Sequence, residues 1–333
     1  MRIFVYGRLP ERWRERFEAF FDVKWWDWAK EGRFLTDEEL LEYIGDREII
    51  VLESAPLSAA VIENSKSLKV IAVCKGTPSN IDVKAATQRG IIVFNTPARN
   101  ADAVADLTVG LIIMSARSIV PALQSVIQGD WYRRGPLWAY LAFQGFELKG
   151  RVVGIIGFGA IGRRVARRLK GFGMDILVYD PFIAPEMIEA FQANPCSLAE
   201  LLQTADFVTL HVPVTEQTKG MIGDEEFSLM KRSAYLINTS RAVVVQRDSL
   251  LRALECGLIA GAALDVHYQE PLGPNDPLLR MPNVICLPHI GGATRDVLDR
   301  QLSMVLTSLL KIKKGLKPDH IVNPEVFSER TTS

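Results

Sequence analysis

RVVGIIGFGAIGRRVARRLKGFGMDILVYD, residues 151–180, is the stretch that determines the fold of the second half of this chain. Residues 152–156 are an apolar, largely β-branched run of the length expected for a buried strand. A glycine-rich turn and a helical pattern follow, and a second strand at 176–179 ends at Asp180. Strand, turn, helix, strand and acid in this order predict the first part of a dinucleotide-binding sheet.

Three glycines in the turn have separate physical roles in this prediction. Gly157 allows the tight turn from strand to helix, Gly159 allows the backbone to approach a pyrophosphate, and Gly162 allows the helix to pack close to the strand. The helix dipole and the free N–H groups of the first turn, which includes Ala160 and Ile161, favour an anion. We therefore expect a dinucleotide at this turn.

The acid at the end of the second strand predicts which dinucleotide binds. Asp180 lies 18 residues after Gly162, where a carboxylate accepts hydrogen bonds from ribose hydroxyls and repels a 2′-phosphate. Pro181 and Phe182, which follow it, carry no positive charge that could compensate. The predicted cofactor is therefore NAD rather than NADP.

Length and composition limit the class of protein. A chain of 333 residues favours about two domains. Lys and Arg total 39, as do Asp and Glu, so we expect neither a nucleic-acid partner nor a membrane partner. Four cysteines without C-x-x-C spacing predict reduced thiols in a cytoplasmic protein, and no metal site is expected. The apolar stretch 103–120 is interrupted by Asp106 and Arg117, which favours a buried helix over a membrane span.

The first 95 residues alternate strand-like and helix-like segments. Strands are predicted at 2–6, 23–26, 49–52, 69–73 and 91–94. Helices are predicted at 11–20, 37–44, 57–64 and 82–88. This alternation predicts a parallel α/β sheet covered by helices. Because it contains no glycine fingerprint, we assign it to the substrate side of the protein.

The second half repeats the alternation. Its strands are predicted at 152–156, 176–179, 206–210, 234–238, 261–265 and 283–287, which suit a doubly wound nucleotide-binding sheet. A helix of about 101–120, with Asn100 as N-cap, is expected to end near Pro121, and Asp224 is expected to cap another. A last helix is predicted from about 295 to 314, between the N-cap Thr294 and Gly315.

Two domains follow from this order of elements. Residues 1–100 plus 295–333 are predicted to form the substrate (catalytic) domain, and 101–294 the NAD-binding Rossmann domain. The C-terminal tail is expected to pack on the first domain. The two crossings between domains are natural hinges, with the active site expected in the cleft between the domains.

Polar residues follow the later strands, at the sheet edge where ligands bind. They are His211; Thr239, Ser240 and Arg241; Asp265 and Glu270; and His289, while Pro213, close to His211, is a further candidate for cofactor contact. Oxidation of an alcohol by NAD needs a base for the hydroxyl proton and a cation for the substrate. His289 suits the first role, Arg241 suits a carboxylate beside the reacting carbon, and Glu270 would orient His289 and stabilise its protonated form. We expect His267 to be structural.

These motifs carry a resemblance to a known family. GFGAIG at 157–162, Asp180, INTSRA at 237–242, ALDVHYQEP at 263–271 and PHIGGAT at 288–294 resemble the D-isomer-specific 2-hydroxyacid dehydrogenases. NTPARNADAVADLT and FELKGRVVGIIG also match, and the resemblance covers about residues 65–325. It implies NAD-dependent interconversion of a D-2-hydroxy acid and its 2-oxo acid. It also implies a flavodoxin-like domain, a Rossmann domain and usually a homodimer.

The resemblance also assigns residues to roles. It implies Arg241 in substrate binding, Glu270 as partner acid and His289 as acid/base. It implies cofactor contacts from Ala160, Ile161, Asp180, Thr239, Asp265, His289 with Gly291, and Thr108. In the first domain the matching substrate loop is 74–80, where backbone N–H groups around Lys75, Gly76 and Thr77 would hold a carboxylate.

Within the family the chain looks most similar to 3-phosphoglycerate dehydrogenase-like members without their regulatory domain. The loop CKGTPSNID does not reproduce the arginine-and-glycine loop of those enzymes, so Lys75 is a candidate for anion recognition. The segment 131–146 is longer and more aromatic than expected, which could affect the cleft or a dimer contact. The alternative function is a non-catalytic, NAD(H)-sensing protein similar to the corepressors that resemble this family.

Overall fold

The computed structural model describes residues 1–327. The described chain forms two compact units, one of residues 1–99 together with 294–327, and one of Asn100–Ala293. The sequence predicted domain boundaries after residues 100 and 294, each one residue later than the boundary between the two units. Residues 328–333 of the predicted substrate domain lie outside the described part of the chain.

Strands and helices alternate along the described chain. The strands are β1 (Arg2–Tyr6), β2 (Asp22–Trp26), β3 (Ile49–Leu52), β4 (Val70–Val73), β5 (Ile92–Asn95), β6 (Val152–Ile156), β7 (Asp175–Tyr179), β8 (Asn194–Pro195), β9 (Phe207–Leu210), β10 (Tyr235–Asn238), β11 (Gly261–Leu264) and β12 (Val284–Cys286). The helices are α1 (Glu11–Glu18), α2 (Trp28–Glu31), α3 (Asp37–Ile44), α4 (Ala59–Asn64), α5 (Val83–Gln88), α6 (Ala101–Ala116), α7 (Ile119–Ile127), α8 (Asp130–Arg134), α9 (Pro136–Ala142), α10 (Ala160–Lys170), α11 (Pro185–Glu189), α12 (Leu198–Thr204), α13 (Asp224–Leu229), α14 (Arg247–Glu255) and α15 (Arg295–Lys313).

The first unit is built on a five-stranded sheet in the order β2-β1-β3-β4-β5. All its strand pairs are parallel, with Ile3 opposite Ile49 and Ile49 opposite Val70. The 2-1-3-4-5 order is that of flavodoxin-like folds, which confirms the prediction for this unit. Strand β3 is apolar and fully buried, as expected for a central strand with helices on both faces.

The C-terminal segment packs along strand β5, as the sequence predicts for the tail. Asn95 N–H donates to His320 O at 3.1 Å, and Val322 N–H donates to Val93 O at 2.8 Å. The side chain of Asn323 is buried, and its Oδ1 accepts the N–H of Val93 at 2.8 Å. An amide side chain therefore completes part of the hydrogen bonding at this edge of the sheet.

The second unit contains a seven-stranded sheet in the order β12-β11-β10-β9-β6-β7-β8. Counted from β6, this is 3-2-1-4-5-6-7, the doubly wound Rossmann order with one added strand. Its pairs are parallel throughout, and apolar clusters cover both faces. The six predicted strands are present. Strand β8 was not predicted, because two residues with a proline give no strand pattern.

The long helix predicted for 101–120 is wrong at its C-terminal end. Helix α6 ends at Ala116 because Ser118 adopts a left-handed conformation with φ of 49°. Pro121 lies inside the first turn of α7, where its missing N–H removes no helical hydrogen bond. Helix α6 is largely buried, in agreement with the prediction of a core helix. Within residues 1–327 no single helix meets the length and hydropathy of a membrane span, although α6 and α7, bent by 68°, meet them jointly.

Two of the three predicted helix caps differ in detail. Thr294 caps α15 as predicted, because its hydroxyl accepts the N–H of Val297. Asp224 is not a cap, since α13 begins after Gly223 and the carboxylate of Glu226 accepts the Gly223 N–H at 2.9 Å. Asn100 occupies the N-cap position of α6 without a capping hydrogen bond from its side chain.

Candidate active site

The glycine turn after β6 has the geometry that the sequence predicts. Gly157 has φ of 93°, and a Cβ there would lie 2.7 Å from the carbonyl oxygen of His211. A Cβ on Gly162 would lie 2.2 Å from Gly157 O, so both positions require glycine. At Gly159 a Cβ would meet no atom of the described chain within 4 Å, and no side chain caps helix α10. Open space therefore lies beside helical N–H groups, an arrangement that fits the pyrophosphate of a dinucleotide.

The carboxylate of Asp180 is held by two backbone groups beside this turn. Its Oδ2 accepts the N–H of Phe158 at 2.7 Å, and its Oδ1 accepts the N–H of Phe182 at 3.0 Å. Each carboxylate oxygen can accept a further hydrogen bond, so both remain able to bind hydroxyl groups. The residue thus joins the end of β7 to the glycine turn, a contact that sequence analysis did not identify.

His211 follows β9 and carries a nitrogen without a partner. Its Nε2 lies 3.0 Å from the hydroxyl of Thr209, and its Nδ1 is buried without a hydrogen-bond partner among residues 1–327. Burial lowers the pKa of His211 to about 3, so the imidazole is neutral near pH 7. A neutral ring with an unused nitrogen can bind a polar group of a ligand. Pro213 is exposed just after it.

The end of β10 is organised by Asn238 and by a pair of threonines. Thr239 and Thr108 are both buried, and their hydroxyl oxygens lie 3.0 Å apart. Asn238 Oδ1 accepts from the N–H and hydroxyl of Ser240, and its Nδ2 donates to Arg241 O at 3.0 Å. Asn238, the last residue of β10, therefore fixes the polar turn that carries Arg241. The part played by Asn238, which lies inside the INTSRA motif, was not expected from the sequence.

Asp265, at the end of β11, fixes the loop that follows β12. It is 1% exposed, its Oδ1 accepts the N–H of Ile290 at 2.8 Å, and its Oδ2 accepts the N–H of Gly291 at 2.7 Å. These two peptides directly follow His289, whose φ of 54° is unusual for a residue with a side chain. Asp265 therefore positions the histidine, a role that was not expected from the sequence, which predicted a cofactor contact.

Glu270 and His289 are in direct contact, as the prediction of an acid and base pair requires. Glu270 Oε2 lies 2.7 Å from His289 Nδ1, and Glu270 Oε1 accepts the N–H of His267 at 3.0 Å. Partial burial acts to raise the pKa of Glu270, but these hydrogen bonds outweigh it and lower the pKa below its ordinary value. The group is therefore a carboxylate near neutral pH.

His267 joins the two loops that carry this pair. Its Nε2 lies 2.8 Å from Leu287 O, and because a carbonyl can only accept, the ring must donate from Nε2. Leu287 precedes His289 by two residues, and the backbone N–H of His267 holds Glu270. The structural role expected for His267 thus includes support of the candidate catalytic residues.

The predicted substrate loop belongs to the first unit and follows β4. Thr96 N–H donates to Lys75 O at 3.1 Å, and Asn95 Nδ2 donates to Gly76 O at 2.7 Å. Gly76 and Thr77 are exposed, and Lys75 is partly exposed. The loop is therefore tied at its base to the end of β5, while its tip is accessible.

Helix α10 carries a cluster of basic residues, two of which form ion pairs with helix α6; the cluster consists of Arg163, Arg164, Arg167, Arg168 and Lys170. Arg164 and Arg168 both pair with Asp102, at 3.0 and 3.2 Å, and Arg168 also pairs with Asp106 at 2.6 Å. These ion pairs join α10 to α6 within the second unit. Part of the cluster therefore contributes to packing of the helices around the nucleotide-binding sheet.

Comparison with known proteins places this architecture in one family. The family model for the D-isomer specific 2-hydroxyacid dehydrogenase, NAD binding domain, matches residues 109–291. The chain is 40% identical over 330 residues to the glyoxylate reductase of Korarchaeum cryptofilum, covering 99% of this chain and 98% of that protein. It is 40% identical over 299 residues to the D-3-phosphoglycerate dehydrogenase of Methanocaldococcus jannaschii, covering 89% and 56% respectively.

A solved structure supports the same assignment. The NAD-complexed D-isomer specific 2-hydroxyacid dehydrogenase of Lactobacillus delbrueckii ssp. bulgaricus has a TM-score of 0.81 and 27% identity, covering 97% of this chain and 100% of that one. These matches confirm the predicted fold class and the NAD cofactor. The chain belongs to the D-isomer-specific 2-hydroxyacid dehydrogenase family and is an NAD-dependent oxidoreductase of the 2-hydroxyacid type.

Proposed function

We propose that this protein interconverts a D-2-hydroxy acid and its 2-oxo acid, with His289 as the acid/base, Glu270 as its partner and Arg241 as the substrate cation. The observation that carries the proposal is the 2.7 Å contact between Glu270 and His289, in a loop that Asp265 fixes. Because relatives are named glyoxylate reductases, glyoxylate is the first substrate to test. A non-catalytic sensor has no support among the relatives named above.

The contact between the two side chains defines which histidine nitrogen can react. A carboxylate accepts but cannot donate, so the proton between Glu270 and His289 lies on Nδ1. His289 Nε2 is then available to accept the hydroxyl proton during oxidation and to return it during reduction. The side chain of His289 is 43% exposed, which leaves room for a substrate to reach it. When bound, NAD supplies the hydride exchange at the neighbouring carbon.

Arg241 is suited to hold the substrate carboxylate. One guanidinium nitrogen donates to Ser240 O at 2.6 Å, which fixes the orientation of an exposed side chain. The remaining donors can form paired hydrogen bonds with a carboxylate, which lysine could not reproduce. Lys75, Gly76 and Thr77 are proposed to supply further substrate-binding groups from the first unit.

The proposed cofactor contacts follow the strand ends of the second unit. Gly157, Gly159, Ala160, Ile161 and Gly162 would hold the pyrophosphate, and Asp180 the ribose. The remaining contacts would come from His211, Pro213, Thr239, Ser240, Asp265, His289 and Gly291. Thr108 is fully buried, so it would act through its hydrogen bond to Thr239.

A panel of 2-oxo acids tests the proposed activity. Purified protein is mixed with NADH and either glyoxylate, pyruvate, oxaloacetate or 3-phosphohydroxypyruvate, and NADH absorbance is followed. We expect turnover of at least one acid, formation of the D-hydroxy acid on chiral analysis, and loss of turnover in His289→Ala. Absence of turnover with every acid, while NADH still binds, would favour the sensor instead.

We also propose that the protein is a homodimer that uses helices α7–α9. These helices expose a series of large apolar side chains, including Ile127 at 75%, Tyr132 at 93% and Tyr140 at 74%. Exposed apolar surface of this kind is typical of protein interfaces. In analytical ultracentrifugation we expect a dimer, and Tyr132→Glu with Tyr140→Glu should give a monomer. A monomeric wild-type protein would contradict this proposal.

The four free thiols support the proposed cytoplasmic location.

A further inference from the structure

Arg99 of the first unit carries a positive charge that the described protein does not balance. It follows β5 by four residues, and its side chain is partly buried. Its Nε is buried without a hydrogen-bond acceptor, and its guanidinium forms no ion pair with any of residues 1–327. Burial lowers the pKa of Arg99, yet a guanidinium remains charged at neutral pH. A cation that has lost part of its hydration without a paired anion is energetically costly.

The neighbouring groups cannot supply the missing anion. Glu53 is buried, but its Oε2 accepts the backbone N–H of Arg8 at 3.0 Å and its Oε1 accepts Arg8 Nε at 3.0 Å. Gln301 Nε2 also lies 3.4 Å from Glu53 Oε1. Burial raises the pKa of the Cys74 thiol to about 12, so this group is neutral. Arg8 and Arg99 are positively charged and Glu53 is negatively charged, so this group of three residues has one excess positive charge.

Arg99 lies beside the loop proposed to bind the substrate. Cys74, the first residue of that loop, is an electrostatic neighbour of the Arg99 guanidinium. Asn95 and Thr96 precede Arg99 in the chain. The backbone N–H of Thr96 donates to Lys75 O, and the side-chain Nδ2 of Asn95 donates to Gly76 O. The segment that leads to Arg99 and the substrate loop are therefore one hydrogen-bonded assembly.

We propose that Arg99 binds a second anionic group of the substrate, so that the preferred substrates are 2-oxo acids with an additional carboxylate or phosphate. The planar guanidinium matches either group with two parallel N–H···O bonds. This inference rests on the proposed function, because it extends the substrate of the same reaction. Arg99 would bind a carboxylate and a phosphate by the same paired hydrogen bonds. The test below includes one substrate of each kind and so distinguishes between the two groups.

The test compares Arg99→Gln with the wild type on three substrates. Glyoxylate has one anionic group, oxaloacetate adds a carboxylate, and 3-phosphohydroxypyruvate adds a phosphate. In the wild type kcat/KM should be highest for one of the two larger acids. In Arg99→Gln that value should fall by at least about tenfold, the factor expected for a lost charge-assisted hydrogen bond, while glyoxylate changes by less than about threefold.

Arg33→Gln is the matched control, because it removes the same charge from an exposed arginine that is paired with Glu39 in the same unit. This variant should alter none of the three values. Equal losses on all substrates in Arg99→Gln, no loss on any of them, or a wild type that prefers glyoxylate would overturn the inference. If the wild type reduces none of the acids, the proposed function itself fails, which distinguishes the two failures.

Thermal unfolding separates binding from a structural role. An arginine that lacks a partner should not stabilise the fold, so Arg99→Gln should have an unchanged or higher Tm. A loss of several degrees, like that expected on breaking a buried ion pair, would identify Arg99 as a structural residue and overturn the inference.

Discussion

Replacing Glu270 by Gln tests the acid/base proposal, because the change removes the charge while keeping the side-chain size. Glu270 lies 2.7 Å from His289 Nδ1. A hydrogen bond to a charged group contributes about 1.5–3 kcal/mol. The two side chains are 39% and 43% exposed, so screening reduces the expected loss to about 1–2 kcal/mol. At about 1.4 kcal/mol for each tenfold change in rate, kcat should fall about 5- to 30-fold.

The assay is the initial rate of NADH oxidation with glyoxylate near neutral pH, measured over a range of NADH concentrations. The KM for NADH should stay the same, because Glu270 is proposed to act on the histidine and not on the cofactor. Glu255→Gln is the control, since it removes an exposed carboxylate from the end of α14 in the same unit. A kcat within twofold of the wild type, or a parallel loss of NADH affinity, would refute the reasoning.

The same pair predicts a dependence of stability on pH. The pKa of Glu270 is lower in the folded protein than its ordinary value of 4.5, so folding favours the carboxylate. Its contribution to stability is therefore complete above about pH 4.5 and is lost as the pH falls through the lower, folded-state pKa. The difference in Tm between wild type and Glu270→Gln should therefore shrink as the pH falls below about 4.5. A difference that grows as the pH falls below about 4.5 would contradict the assignment.

Three further substitutions test other parts of the site. His289→Ala should lower kcat at least about 100-fold, the lower end of a general acid/base contribution, with little change in NADH affinity; equal loss of both argues against the role. Asp180→Asn keeps an acceptor for the Phe158 N–H but removes the charge, so the preference for NAD over NADP in kcat/KM should fall at least about tenfold; an unchanged preference excludes the ribose assignment. His267→Phe leaves Leu287 O without its donor and should cost about 1–2 kcal/mol in urea unfolding, while His267→Gln should recover most of it; equal losses in both variants would show that ring packing dominates.

The sequence was most informative where a local pattern has one structural solution. The spacing of Gly157, Gly159 and Gly162 between two apolar strands leaves little choice of turn, and the turn has the expected form. The meeting of Glu270 and His289 was also predictable, because parallel strands end at one edge of a sheet.

Contacts that depend on tertiary packing were not predictable in the same way. That Asp265 binds the peptides after His289 depends on the pairing of β11 with β12, which no local pattern specifies. The break of α6 at Ser118 arises from a single backbone conformation in a sequence that is otherwise favourable to helix. The unbalanced charge of Arg99 emerges only when the partners of Glu53 are known.

The side chain of Asn323 has a consequence for the solution behaviour of the protein. Strand β5 is the last strand of the first sheet, and such an outer strand can recruit another chain and start aggregation. The side-chain amide of Asn323 forms hydrogen bonds along the outer edge of this strand: it donates to Ile91 O at 2.9 Å and accepts from Val93 N–H at 2.8 Å. These hydrogen bonds leave the two backbone groups unavailable for pairing with another chain. A chain shortened to end before His320 should fold its second unit yet precipitate at concentrations that the full chain tolerates.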